Sequence, residues 1–272
     1  MPPVNIRTLY ALPNDKPKQL ASHAIMLCDN FSSYLALIND KEIIQIQTLE
    51  HNSSDSHNFS EDDFNSFSSV LQEFTNFTVL YNAPKDTLIP TQSFDKSLAE
   101  KYIKFNFQSI DNETVLFDDI KNLDIVQVYT IKNPFLQFFN AKYPHCIIRN
   151  RKSALIEQVY QHAAQNEHVY INTNNNSFDC IVIREKKLIF ANTFTFNTAQ
   201  NYIFYLMHTL KTLALNPETI QLYLSGSIES DSAIYNYIYK YVRHIQFIEK
   251  PEHIAYKSDD LPFHYFYNLL IL

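Results

Sequence analysis

Apolar and polar positions along this chain follow two rhythms, and the switches between them mark the elements. In KEIIQIQTLE (41–50), Ile44 and Ile46 alternate with Gln45 and Gln47, the period-two pattern of a half-buried strand. SHAIMLCD (22–29) is almost continuously apolar, as for a strand buried on both faces, and SSYLALIND (32–40) stands between the two. Short polar turns separate these runs, so residues 22–50 predict a three-strand meander. The pattern returns later as HVYINT (168–173), SFDCIVI (177–183) and KLIFANTFTF (187–196). In the last, Leu188, Phe190, Asn192, Phe194 and Phe196 alternate with Ile189, Ala191, Thr193 and Thr195.

Elsewhere the period is that of a helix. Ser60 and Asp63 form a capping box flanked by Phe59 and Phe64, and Phe64, Phe67, Leu71 and Phe74 share one face. Residues 198–215 space Ala199, Ile203, Leu206, Met207, Leu210, Leu213 and Ala214 at threes and fours, until Asn216-Pro217 stops them. Ser153–Gln165 carries Leu155, Val159 and Ala163 on one face. Asn133-Pro134 opens a short helix that ends before Pro144. Further helices are expected over Phe94–Phe107, 231–242 and Pro262 to the C-terminus. Strands are expected at FTVLYN (77–82), Thr114–Phe117, Asp124–Ile131, HCIIRN (145–150), 220–224 and 245–249. Residues 1–20 read as a Pro-rich arm and 51–58 as a loop.

The two halves therefore share one order: meander, helix, strand, helix, strand. Ile38-Asn39-Asp40-Lys41-Glu42-Ile43-Ile44 echoes Ile183-Arg184-Glu185-Lys186-Lys187-Leu188-Ile189 at an offset of 145 residues. This predicts an α/β chain with mixed sheets in two lobes and a ligand cleft between them. The repeated βββαβα order resembles the actin-like ATPase superfamily. The helix running into a strand and SG turn, NTAQNYIFYLMHTLKTLALNPETIQLYLSGSI (197–228), and the linking helix SALIEQVYQHAAQ resemble its bacterial pilus-assembly and cell-division branch. A bacterial family of unknown function with an actin-like fold matches the pattern over roughly 20–272. The resemblance implies two tandem ribonuclease-H-like lobes, 21–151 and 152–272, after an N-terminal arm at 1–20, with 94–120 as a possible insertion.

In that superfamily two glycine-containing hairpin turns hold phosphates. Backbone amides converge on an anion only where the chain bends closely, and nearby carboxylates position metal and water. Here the first turn is Cys28-Asp29-Asn30-Phe31-Ser32-Ser33, with Asp29 in the acid's place and Phe31 in the glycine's. The second is Asn172-Thr173-Asn174-Asn175-Asn176-Ser177, without acid or glycine. The element that packs on adenosine in the family is Leu224-Ser225-Gly226-Ser227 here, and Gly226 is the only glycine among 272 residues. Strand, turn and helix meet there, where glycine supplies positive φ or a close backbone approach. Each missing amide forfeits about 1.5–3 kcal/mol of charge-assisted bonding. Asp29, Ser32, Thr173, Asn174, Ser225 and Gly226 are thus a remnant nucleotide site, with no catalytic residue and no cofactor assigned, ATP with magnesium being the alternative.

Composition narrows the rest. With 46% hydrophobic and 14% aromatic residues the chain can build real cores, and its net charge of −7 argues against nucleic acid. Cys28, Cys146 and Cys180 stand far apart without zinc spacing, which favours a reducing compartment, and Cys28 and Cys180 fall in apolar strand patterns. The N-terminus lacks an apolar h-region, so no signal peptide is expected, nor any membrane span; a cytoplasmic location follows. The ten histidines show no metal spacing, and Asp118-Asp119 reads as a solvated turn. Arg149, Arg151 and Lys152 lie near the lobe junction and carry no assigned site. In SAIYNYIYKYV (232–242), Ile234, Ile238 and Tyr241 point inward. Tyr235 and Tyr239, with exposed C-terminal aromatics His264, Tyr265, Phe266 and Tyr267, form a docking surface for a protein partner. The sum is a non-catalytic actin-like scaffold or adaptor. The alternative is a weak ATP-binding protein or phosphotransferase working in the interlobe cleft.

Overall fold

The computed structural model describes residues 6–12, 21–28, 32–40, 42–50, 71, 74, 77–120, 122–163, 167–250, 254–256 and 262–269. The chain divides into two compact units, one of residues 1–155, 252–261 and 269–272, the other of 156–251 and 262–268.

In chain order the first unit carries strands β1 (Ile6–Ala11), β2 (His23–Cys28), β3 (Ser32–Asn39), β4 (Glu42–Glu50), β5 (Phe77–Tyr81), β6 (Asp86–Pro90), β7 (Glu113–Ile120), β8 (Ile125–Lys132) and β9 (Ile147–Asn150). Helix α1 (Ala99–Asn106) precedes β7, α2 (Asn133–Lys142) follows β8, and α3 (Arg151–His162) leaves β9 and crosses the boundary after Leu155. The main sheet has the order β1-β4-β3-β2-β5-β9. β2, β3 and β4 are an antiparallel meander, and β5 and β9 add in parallel to β2. Met26, Leu35, Leu37, Phe77 and Val79 of this sheet pack on Phe135, Phe138 and Phe139 of α2. Pro134 sits in the first turn of α2, where its missing N–H costs nothing. A second, antiparallel sheet, β6-β8-β7, holds a small core of Ile103, Val126 and Val128.

The second unit carries β10 (His168–Thr173), β11 (Ser177–Arg184), β12 (Lys187–Thr195), α4 (Ala199–Thr212), β13 (Gln221–Gly226), α5 (Ala233–Tyr241) and β14 (His244–Phe247). Its sheet order is β12-β11-β10-β13-β14. Thr198 and Ser232 cap α4 and α5 by accepting the amides of Asn201 and Tyr235, both at 3.1 Å. Tyr202, Ile203, Leu206 and Leu210 of α4 close the core over Val169, Ile171, Leu222 and Leu224.

The β4-β3-β2-β5-β9 order of the first unit is the β12-β11-β10-β13-β14 order of the second, with the same antiparallel and parallel pairings. The echo at 145 residues extends to fine geometry. The second hairpin of each meander slips register at matching places, Leu37/Ile38 and Val182/Ile183. Each turns through a left-handed residue, Asp40 at φ 50° and Glu185 at φ 50°. His23 and His168 open the matching first strands, and Tyr81 stands where Gly226 stands, opposite Cys28 and Thr173 respectively.

Four expectations change. Ile6–Ala11, expected within a Pro-rich arm, pairs with β4 as a sixth strand. Asp118 and Asp119 are strand residues of β7 and not a turn. Only Ala99–Asn106 of Phe94–Phe107 is α-helical. The helix expected from Pro262 is a short 3₁₀ segment, Phe263–Phe266. The capping box at Ser60 and Asp63 lies outside the described residues.

Candidate functional site

The sharpest chemistry in the second unit lies where β10 and β13 end side by side. Gly226 pairs with Thr173 and has φ +82°, the left-handed region. A Cβ there would lie 2.0 Å from the Thr173 carbonyl oxygen and 2.9 Å from Asn172 Oδ1. Glycine is therefore required twice over, by backbone angle and by contact.

The amides around this point are already bonded within the chain. Asn174 N donates to the Ser177 carbonyl at 2.8 Å, which closes the β10–β11 hairpin. Phe196 N donates to the Asn176 carbonyl at 2.9 Å, Ser227 N to the Thr173 carbonyl at 2.7 Å, and Ile228 N to the Gly226 carbonyl at 2.9 Å. The side chains are tied together as well. Ser225 Oγ donates to the Ile171 carbonyl at 3.2 Å and meets Asn172 Oδ1 at 3.1 Å. Asn172 Nδ2 reaches Asn174 Oδ1 at 3.2 Å and Asp179 Oδ2 at 3.4 Å. Thr193 Oγ1 donates to Asp179 Oδ1 at 2.7 Å, and the Thr173 and Tyr202 hydroxyls are 2.9 Å apart. Asn174 Nδ2 is a buried donor without a partner among the described residues.

Asp179 anchors this network, and none of the candidate-site motifs in the sequence includes it. It is completely buried, in the middle of an apolar strand, and an acid inside SFDCIVI is the signal that would have found it. Its charge adds to burial in raising the Cys180 thiol and the Tyr202 phenol, which holds both protonated. The structure thus brings Thr173, Asn174, Ser225 and Gly226 together. Ser32, in the first unit, is buried at the start of β3, and Asp29 and Phe31 lie outside the described residues.

The first unit has its own cleft, about 500 Å³, lined by Thr78, Phe117, Asp118, Asp119, Ile147 and Arg149. Asp118 accepts the Asn150 amide at 2.8 Å and the Tyr129 hydroxyl at 3.3 Å. Burial still holds its carboxyl above the usual range, with the Asn150 amide and the Arg149 charge pulling back. Beside it, Arg151 is fully buried and bonds Asn82 Oδ1 at 3.3 and 3.2 Å, while Lys152 pairs with Asp86 at 2.8 Å. Among the described residues, no group of three or more His, Cys, Asp or Glu could hold a metal ion.

The expected aromatic docking surface is rearranged. Tyr239 is exposed, but Tyr235 is half-buried and stacks on Phe247 at 5.5 Å. Tyr241, expected inward, is 51% exposed. His264, Phe266 and Tyr267, expected outside, are buried; His264 Nε2 is 3.0 Å from the Ile228 carbonyl. The 3₁₀ segment, unlike the expected helix, turns the rings of Phe263, His264 and Phe266 inward together.

The model of a family described as a protein of unknown function (DUF3822) matches residues 29–245. No curated protein matches the sequence. A crystal structure from Bacteroides thetaiotaomicron, a protein with actin-like ATPase fold and unknown function, superposes with a TM-score of 0.76 at 19% identity, covering 86% of this chain and 93% of that one. The PilM–PilN type IV pilus biogenesis complex gives a TM-score of 0.67 at 10% identity, covering 93% and 98%. The fold is therefore that of the actin-like ATPases, and no helix among the described residues is long and apolar enough to cross a membrane.

Proposed function

The chain belongs to the DUF3822 family, and we propose that it is an actin-like protein without ATPase activity that works as a scaffold or adaptor for a protein partner. The observation that carries this reading is the occupied state of the turn amides. Four amides around the β10–β11 hairpin and the Gly226 turn already donate to carbonyls of the same chain, at 2.7–2.9 Å. An anion nest needs such groups free and convergent. Freeing each one costs a made hydrogen bond, about 0.5–1.5 kcal/mol, before any phosphate is gained. The glycine that could have opened the backbone to a ligand faces the Thr173 carbonyl instead. Asp29, Ser32, Thr173, Asn174, Ser225 and Gly226 then remain as a degenerate nucleotide site, and the buried Asp179 network serves to hold β10 and β13 in register.

A protein partner is the companion half of the proposal. The PilM structure of the same fold is that of a complex with another protein, PilN. Isothermal titration of the full chain with Mg-ATP tests the first half. The expected result is no saturable heat up to about 1 mM, which corresponds to less than about 4 kcal/mol of binding. A micromolar dissociation constant overturns the reading.

A further inference from the structure

Helices α4 and α5 pack against each other in the second unit and leave a groove of about 400 Å³, lined by Ile203, Phe204, Met207, His208, Lys211 and Tyr241. Its size falls within the range of pockets that hold ligands, about 300–1,000 Å³. Phe204 is 62% exposed and stacks on the His208 ring at 6.0 Å, while Tyr241 is 51% exposed. Two large rings open to water in one groove, one from each of two adjacent helices, are more than scattered surface apolarity.

The charges say what would cover it. The chain has 29 acids against 22 Lys and Arg, yet AQNYIFYLMHTLKT and AIYNYIYKY contain no acid at all. Their formal charges are Lys211 and Lys240, both exposed. Outside the two helices, Glu218 is paired with Arg243 at 3.2 Å, Glu229 accepts the Tyr265 hydroxyl, and Asp231 stands before the first turn of α5, at the opposite end of that helix from Tyr241. Lys211 lines the groove and Lys240 lies over the Tyr237 ring at 5.3 Å, so the two helices are locally cationic on an anionic molecule.

We propose that this groove is the docking site for an acidic amphipathic helix of a partner protein, with apolar anchors at i, i+3 or i+4 and i+7 between α4 and α5 and carboxylates against Lys211 and Lys240. A second copy of this chain fits less well, because a two-fold interface would bring two patches together that both carry lysines and no acid from α4 or α5. An anionic membrane fits less well too, since lipid-binding surfaces use clusters of about 4–8 basic residues. The proposal names the partner chemistry for the adaptor reading and rests on its protein-binding half, not on the absence of nucleotide binding.

The test uses the whole 272-residue chain and two synthetic helical peptides with the same Leu and Phe anchors, one flanked by Glu and one by Lys. The acidic peptide is expected to bind at least tenfold more tightly, with NMR shifts at Phe204, Met207 and Tyr241. Phe204→Ala is expected to weaken it tenfold or more, and Lys211→Glu with Lys240→Glu to invert the preference between peptides. Circular dichroism confirms that these surface variants stay folded. Equal affinities, no binding at about 1 mM, or shifts elsewhere overturn the proposal. So do a concentration-dependent dimer abolished by Phe204→Ala, or sedimentation with phosphatidylserine vesicles in preference to the peptide. An Mg-ATP titration can fail its own expectation without moving any of these results.

Discussion

Gly226 concentrates two demands in one residue. Its φ of +82° already disfavours any side chain, and the Thr173 carbonyl fills the place of a Cβ at 2.0 Å. Strain at such a position costs about 1–3 kcal/mol, and the backbone clash adds to it. Gly226→Ala is expected to lower the urea midpoint by more than this strain alone would, and a near-neutral midpoint would contradict the contact. Its need for glycine was legible because a chain with one glycine places it between a strand and a helix. The Asp179 network was not legible, since only the parallel pairing of β10 with β13 brings Asn172 beside Ser225. Three histidines make a second residue-scale prediction. Burial lowers His23, His168 and His264 below their ordinary value, so the unfolded chain binds protons more readily. Their contribution to stability is full above about pH 6.5 and is lost as pH falls through the depressed folded values. Melting temperature is expected to fall as pH is lowered below about 6.5, with a shallower fall in His168→Gln.

Elements were read most reliably where the period was clean. The meanders and α4 follow their patterns because one-sided burial leaves alternation or threes-and-fours spacing, and burial on both faces leaves a continuous apolar run. β1 hid because IRTLYA is short, and its pairing with β4 depends on a partner distant in sequence. Tyr241 misled because a phenol ring suits either side of a helix, and its position at the end of α5 leaves it at the surface. At this scale the link between β6 and α3 is the weak point to probe. Lys152 Nζ sits 2.8 Å from both Asp86 oxygens, with side chains only 7% and 15% exposed. Asp86→Asn strands a buried ammonium and is expected to cost about 3–5 kcal/mol in chemical denaturation. Adding Lys152→Met is expected to recover most of that loss, and a double variant as unstable as the single one would refute the pairing.

For the molecule as a whole, the repeat was the most informative thing the chain carried. A seven-residue echo at offset 145 implied two copies of one topology, and the structure repeats strand order, pairing, bulge and turn at that spacing. The three-stranded sheet over 86–132 was less visible, because its strands break the plan of the lobes without any change in composition. Each unit has its own apolar core. Leu206, fully buried in the second, is expected to cost about 2–5 kcal/mol when cut to alanine. Hydrogen exchange in that variant is expected to quicken across β10, β11 and β13 while β2 and β5 keep their protection. Uniform quickening in both sheets would mean that the two cores unfold as one.

The pairing of Tyr81 with Gly226 across the repeat has a consequence for descent. The Tyr81 ring packs, partly buried, against Phe135 at 4.8 Å, and loss of hydration pushes its phenol up to about 12. At the same point in the second copy no side chain fits. The two halves have ceased to be spare parts for one another: a graft of the second into the first would bring a void where a ring belongs, and the reverse graft would drive a ring into a carbonyl.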